Sequence, residues 1–327
     1  MGVMITRKKL NLGNFPTRIA MYPKLSEELG VNLFIKHENE ADSIGSGNKV
    51  RKLEYLLQQV IDEGYGHVII DGSFQSNSCM ALCFYATVLG LGSNIILIGE
   101  NNDHHGNNAV MHLSGSHIHY LSSRSTDWIE QLKAQITAQN SIRGIKTFDV
   151  PLGASTSVSI MGAVDLANEI GRQELALGLN FDAVVLPVGT GGTVSGLGLG
   201  KILMQKSWEI YGIAVAYNRT FFIEFHKRML AELLRNDSPK ELSSIPFEIY
   251  DGAKGEGYAK FSRSDVEQIL RMRRTHGIVL DTCYTNKAFT GLIRLIDLGA
   301  IRRGSNVLVI HTGGTNEQFA PPYEVQE

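Results

Sequence analysis

Apolar positions along this chain follow two alternating rhythms. Short unbroken runs, such as Val68-Ile69-Ile70, Ile95-Ile96-Leu97 and Val184-Val185-Leu186, end at glycines or polar turns. Between them lie longer stretches whose apolar residues recur every three or four positions, as at Leu53, Leu56, Leu57, Val60 and Ile61. The first rhythm is that of strands buried on both faces, the second that of amphipathic helices. Strands are predicted over 31–38, 67–71, 93–98, 117–121, 181–188, 209–215, 278–280 and 306–310. Helices are predicted near 25–29, from 49 onward, and over 78–89, 105–113, 128–139, 160–175, 193–204, 220–234, 263–276 and 285–298. Residues 148–155 read as a loop and 236–261 as irregular. Strands alternating with helices predict an α/β protein with mostly parallel sheets covered on both faces.

The chain has 327 residues, enough for two modest domains. A formal net charge of -2 with no basic block gives nucleic acid or an anionic membrane surface nothing to bind. No apolar run approaches the length of a membrane span. Arg7, Lys8 and Lys9 are followed by no apolar core, so no secretory signal is expected. Cys79, Cys83 and Cys283 are few and odd in number, which suits a reducing compartment, and a cytoplasmic protein is expected.

Two stretches carry chemistry. In Ser46-Gly47-Asn48-Lys49 a lysine opens a predicted helix, where the macrodipole is already positive. A neutral Lys49, held as an imine, avoids that conflict; a solvated turn lysine is the plainer alternative. Gly189-Thr190-Gly191-Gly192-Thr193 joins a strand to a helix, and its amides and hydroxyls suit an anion. Val194 stands where a dinucleotide fingerprint requires its third glycine, and no Gly-Lys-Ser/Thr follows, so a single phosphate fits better than a pyrophosphate. His104, His105, His112, His117 and His119 lack cysteine or carboxylate partners at ligand spacing, and no metal is expected. Cys79 and Cys83, four apart on one helix, read as core residues. Lys52, one turn beyond Lys49, is the competing imine lysine.

Together with Gln75-Ser76-Asn77, Leu280-Asp281, Tyr284-Thr285 and His311-Thr312-Gly313-Gly314-Thr315, these stretches resemble the 1-aminocyclopropane-1-carboxylate deaminase and D-cysteine desulfhydrase family. Its members are pyridoxal 5'-phosphate enzymes of the tryptophan-synthase-β-like fold (fold type II), typically homodimers. The resemblance runs from Pro16 to Phe319. It implies that Lys49 carries the cofactor as an imine and moves protons. Asn77 would bond the cofactor's phenolic oxygen, and Gly189, Thr190, Gly191, Gly192 and Thr193 its phosphate. Thr285 would face the pyridine nitrogen. Ser76, with Asn77 and Ser78 beside it, would hold the substrate carboxylate, and Tyr284 and Tyr258 match the active-site tyrosines. The implied domains are 1–49 plus 160–327, the larger and cofactor-binding, and 50–159, the smaller. The implied reaction is α-proton abstraction and β-elimination from a small amino acid.

The Tyr-Thr pair matches the desulfhydrase pattern, whereas the cyclopropane deaminase has a carboxylate after its tyrosine. Departures cluster on the substrate side. Ser73 stands for the second of two glycines, Ser78 and Met80 for a His or Gln and an Arg, Thr282-Cys283 for Pro-Val, and Asn286 for Gly. Gly153-Ala154-Ser155 stands for Gly-Gly-Ser, and Lys36-His37-Glu38-Asn39 for Lys-Arg-Asp-Asp. These imply an altered substrate pocket. Ring opening of the cyclopropane substrate, β-replacement and a non-catalytic cofactor- or metabolite-binding homologue are the alternatives.

Overall fold

Two separate sheets take up the buried strands in the computed structural model, which describes residues 7–99, 105–234 and 244–320. The first has six strands: β1 (Ile19–Met21), β2 (Asn32–Lys36), β7 (Ala183–Val188), β8 (Glu209–Ala214), β9 (Glu248–Tyr250) and β10 (Asn306–Ile310), in the order β1-β2-β10-β7-β8-β9. The second has four: β3 (His67–Ser73), β4 (Gly92–Ile98), β5 (His117–Leu121) and β6 (Thr147–Val150), in the order β5-β4-β3-β6. Every pairing is parallel except β1 with β2.

Ten helices connect these strands among the described residues: α1 (Pro23–Leu29), α2 (Lys49–Asp62), α3 (Asn77–Val88), α4 (Gly106–Leu113), α5 (Thr126–Ile142), α6 (Met161–Leu177), α7 (Gly192–Leu203), α8 (Arg219–Leu233), α9 (Arg263–His276) and α10 (Thr285–Asp297). Alternation along each strand divides the cores. Val68, Ile70, Ile95 and Leu97 pack with α2 and α3, while Ile69 and Ile96 face α5. In the larger sheet Val184 and Leu186 join α6 and α7, while Ala183 and Val185 join α1, α9 and α10.

Three strands fall where none was expected: β1, β6 within the 148–155 loop, and β9 within 236–261. Each lies at a sheet edge and spans three or four residues, too few to display a period. Residues 278–280 form no strand. Ile278 and Leu280 are buried against α9 and α10, so the apolar run there reflects core packing without a sheet partner.

Two features fix α2. A Cβ on Gly162 of α6 would stand 2.2 Å from the Arg51 carbonyl oxygen, so the two helices touch through backbone. Below that contact lies a buried ion network. Arg51 Nε and Nη2 donate to Glu38 at 2.5 and 2.9 Å, and Nη2 also reaches Glu169 at 2.9 Å. Lys36 Nζ donates to Glu169, to Gln173 Oε1 at 2.7 Å and to the Thr17 carbonyl at 2.6 Å. The first turn of α2 is thereby held to β2 and α6.

Candidate active site

Helices α2, α3, α7 and α10 direct their N-terminal residues to one cleft, lined by Lys49, Asn77, Gly192, Thr193 and Tyr284. Helix starts carry a partial positive charge, so the starts of α2, α3 and α7 suit a ligand with negative groups, while at α10 Asp281 already takes the amides of Tyr284, Thr285 and Asn286. It opens into a cavity of about 390 Å³ bounded by Ser73, Ser76, Ser78, Arg124, Tyr217 and Tyr258.

Lys49 is the first residue of α2. The preceding turn requires Gly47, at φ +64°, because a Cβ there would stand 2.1 Å from the Thr312 carbonyl oxygen. Lys49 Nζ donates to Asn48 Oδ1 at 3.0 Å and lies 5.9 Å from the centroid of the Tyr284 ring. Burial lowers its ammonium from the usual 10.5 to about 8, against the opposing pull of Asp281. An amine of that pKa loses its proton readily near neutral pH and is available as a nucleophile.

The glycine turn after β7 forms a cup. Gly191 takes φ +97°, and a Cβ on Gly192 would come within 2.7 Å of Lys52 Nζ and 2.8 Å of Ser155 Oγ. Thr190 Oγ1 lies 2.7 Å from Ser155 Oγ, and Thr193 Oγ1 accepts from Asn48 Nδ2 at 3.1 Å. Lys52 points into this cup and donates to Ser155 Oγ at 2.8 Å and to the Gly153 carbonyl at 3.3 Å. Burial, with Lys49 nearby, lowers its pKa well below the ordinary value. The sequence reading weighed Lys52 only as a rival for the imine. Its position three residues after Lys49, on the same helix face, was the available sign that both reach one cleft.

Ser76 caps α3, its hydroxyl accepting from the Cys79 amide at 3.3 Å and lying 3.1 Å from Ser78 Oγ. Asn77 Oδ1 accepts from Asn107 Nδ2 at 2.7 Å. Ser78 lines the cleft, whereas Met80 is wholly buried in the core.

On the opposite wall Tyr284 donates to Tyr258 at 3.2 Å, and Tyr258 meets Ser73 Oγ at 3.1 Å. Burial, reinforced by Tyr258, raises the Tyr284 phenol well above its ordinary value. Thr285 is buried, and its hydroxyl donates to Asp281 Oδ2 at 2.7 Å while accepting from the Asp281 amide at 2.8 Å. In the sequence Asp281 stands only within a family marker, and Ser155 and Ser73 only among the departures on the substrate side; the fold brings all three to this cleft.

The histidines do not assemble. His119 on β5 bonds Asn94 on β4 at 2.7 Å, and His104 lies outside the described residues. Among the described residues no group of three His, Cys, Asp or Glu side chains could hold a metal ion.

A parallel α/β frame with a half-buried lysine of lowered pKa beside an anion cup defines the class of pyridoxal-phosphate enzymes. The sequence profile of the family described as "Pyridoxal-phosphate dependent enzyme" matches residues 10–313, and the chain belongs to that family. Two curated relatives locate it further. It is 30% identical to the bifunctional D-cysteine desulfhydrase/1-aminocyclopropane-1-carboxylate deaminase of Arabidopsis thaliana, over 93% of this chain and 77% of the relative. It is 28% identical to the D-cysteine desulfhydrase of Klebsiella pneumoniae, over 95% of each chain. Among solved structures it is similar to an ACC deaminase homologue, with a TM-score of 0.85 and 29% identity, covering 95% of this chain and 93% of that one. The chain is a pyridoxal-phosphate dependent lyase.

The residues present fit the cofactor. The cup has room for a phosphate because Gly192 carries no side chain, Gly191 makes the turn with Phe225 2.8 Å from where a Cβ would stand, and Lys52 supplies a buried amine that a phosphate would favour in its charged form. Lys49 supplies an amine that is easily deprotonated.

Proposed function

We propose that this lyase removes the α-proton of a small amino acid and eliminates its β-substituent, in the manner of a D-cysteine desulfhydrase. The observation that carries this reading is the placement of Lys49, with its lowered pKa, between the anion cup and Tyr284. Pyridoxal phosphate, when bound, draws electron density from the α-carbon of an attached amino acid. Lys49 Nζ would hold the cofactor and, as a free amine, would take the α-proton. The start of α7 and Lys52 hold the phosphate. Asn77 orients the ring, and Ser76 and Ser78 at the start of α3 bind the substrate carboxylate. Tyr284 and Tyr258 close the opposite side.

Thr285 is the residue we assign to the pyridine nitrogen. Its single proton goes to Asp281, so what it offers a ring nitrogen is a lone pair. That hydroxyl is a weaker partner than the carboxylate of the ring-opening deaminases, which favours simple elimination.

We take residues 50–159 as the smaller domain and 1–49 with 160–327 as the larger, and the assembly as a homodimer. A cytoplasmic setting is supported by Cys79, Cys83 and Cys283, which are all buried and free. The test is to load the protein with pyridoxal phosphate and supply D-cysteine, its β-chloro analogue and 1-aminocyclopropane-1-carboxylate. Keto acid and ammonia from the first two support the reading. Ring opening alone, or turnover of none with the cofactor bound, refutes it.

A further inference from the structure

Ser73 ends β3 on the smaller sheet, and Tyr258 lies across the cleft between β9 and α9 of the larger. Their oxygens are 3.1 Å apart, and both line the cavity. Tyr258 in turn accepts from Tyr284 at 3.2 Å, with the two rings edge to face at 5.9 Å. A phenol has one proton. The Tyr258 oxygen receives the proton of Tyr284, and between Tyr258 and Ser73 either hydroxyl can donate, so the contact stands in both senses.

The three hydroxyls thus form a hydrogen-bonded chain that begins beside Lys49 and ends on the opposite wall. Tyr258 lies in a segment, residues 251–262, with neither helix nor strand; Lys287 Nζ holds its backbone at the Lys254 and Gly257 carbonyls, at 2.9 and 2.6 Å, and Ser73 meets its side chain from the smaller sheet. On the family pattern the position of Ser73 is a glycine, which has no group to offer. The neighbouring Gly72 could not take the role, because a Cβ there would stand 2.5 Å from Cys79 Sγ.

We propose that Ser73 is a positioning residue, whose hydroxyl holds Tyr258, and through it Tyr284, in register with Lys49 from the far side of the cleft. The catalytic consequence rests on the elimination reading above; the positional one does not.

The test uses the full chain saturated with pyridoxal phosphate. Amide hydrogen exchange is followed over residues 251–262 in the wild type, Ser73→Ala, Ser73→Thr, Tyr258→Phe and the double variant Ser73→Ala/Tyr258→Phe. Ser73→Ala should exchange about fivefold faster, the factor that one ordinary hydrogen bond gives. Ser73→Thr, which keeps the hydroxyl, should stay at the wild-type rate, and the double variant should exchange no faster than Tyr258→Phe. Unchanged exchange in Ser73→Ala, or additive increases in the double variant, overturns the proposal. A second readout is exchange of the α-proton of D-alanine and L-alanine for solvent deuterium. Ser73→Ala should lower its kcat about fivefold and leave KM unchanged. If the wild type exchanges neither amino acid, the elimination reading fails, while the amide exchange still decides the place of Ser73.

Discussion

The charge state of two lysines one helical turn apart governs how this cleft would work. Lys49 has a pKa of about 8, so its neutral fraction grows as pH rises through that value. Capture of pyridoxal phosphate by the empty protein should therefore accelerate up to about pH 8 and then level off, as followed by the visible absorbance band. A midpoint near the ordinary lysine value would contradict the assignment, and Lys49→Ala should show no band. The sign for stability is the same. The folded value lies below the unfolded one, so the unfolded chain holds the extra proton between about pH 8 and 10.5, and this lysine's contribution to stability rises across that window. Burial, with Lys49 nearby, also lowers the Lys52 pKa well below its ordinary value, but an incoming phosphate would favour its charged form. In a Lys49→Ala background, where binding is non-covalent, affinity should fall as pH rises. Lys52→Met should weaken it by about ten- to a hundredfold, as loss of a charge-assisted hydrogen bond does, read by equilibrium dialysis. Lys49 and the glycine cup were legible in the sequence because turn chemistry is local. The place of Lys52 and the Ser73–Tyr258 contact were not, because each depends on residues more than a hundred positions away.

Helix α2 can present Lys49 accurately only if its first turn is fixed. The contact at Gly162 leaves no room for a methyl group, and the atom it would meet is backbone. Gly162→Ala should destabilise the protein by about 1–3 kcal/mol, read by denaturant unfolding, and should also slow cofactor capture by shifting α2. The ion network has a different signature. Burial works to raise the Glu38 carboxyl, but the Arg51 guanidinium and its hydrogen bonds outweigh it and hold the pKa below the ordinary value. Its stabilisation is therefore present above the ordinary carboxylate pKa and is lost as pH falls through the lowered one. Glu38→Gln leaves Arg51 buried with half its partners and should lower stability by about 3–5 kcal/mol, read the same way at neutral pH. The long helices and central strands were legible from periodicity. The edge strands β1, β6 and β9 were too short, and residues 278–280 show that an apolar run needs a partner to become a strand.

At the scale of the whole molecule, the cleft draws residues from both sheets: Asn77 follows β3 of the smaller, and the glycine cup follows β7 of the larger. A ligand there binds only the folded chain, so pyridoxal phosphate at a hundredfold excess over its Kd should add about 2.7 kcal/mol of stability, read as a raised thermal midpoint. The connectivity has a further consequence, for biosynthesis. The four-stranded sheet is built from one continuous stretch, residues 67–150, and can form as soon as that stretch leaves the ribosome. The larger sheet cannot. Strand β2 must wait for β10, and Asn32 meets Asn306 across 274 positions. Until β10 is synthesised, the nascent chain carries an apolar strand with one edge open, which is the period when a chaperone has most to protect.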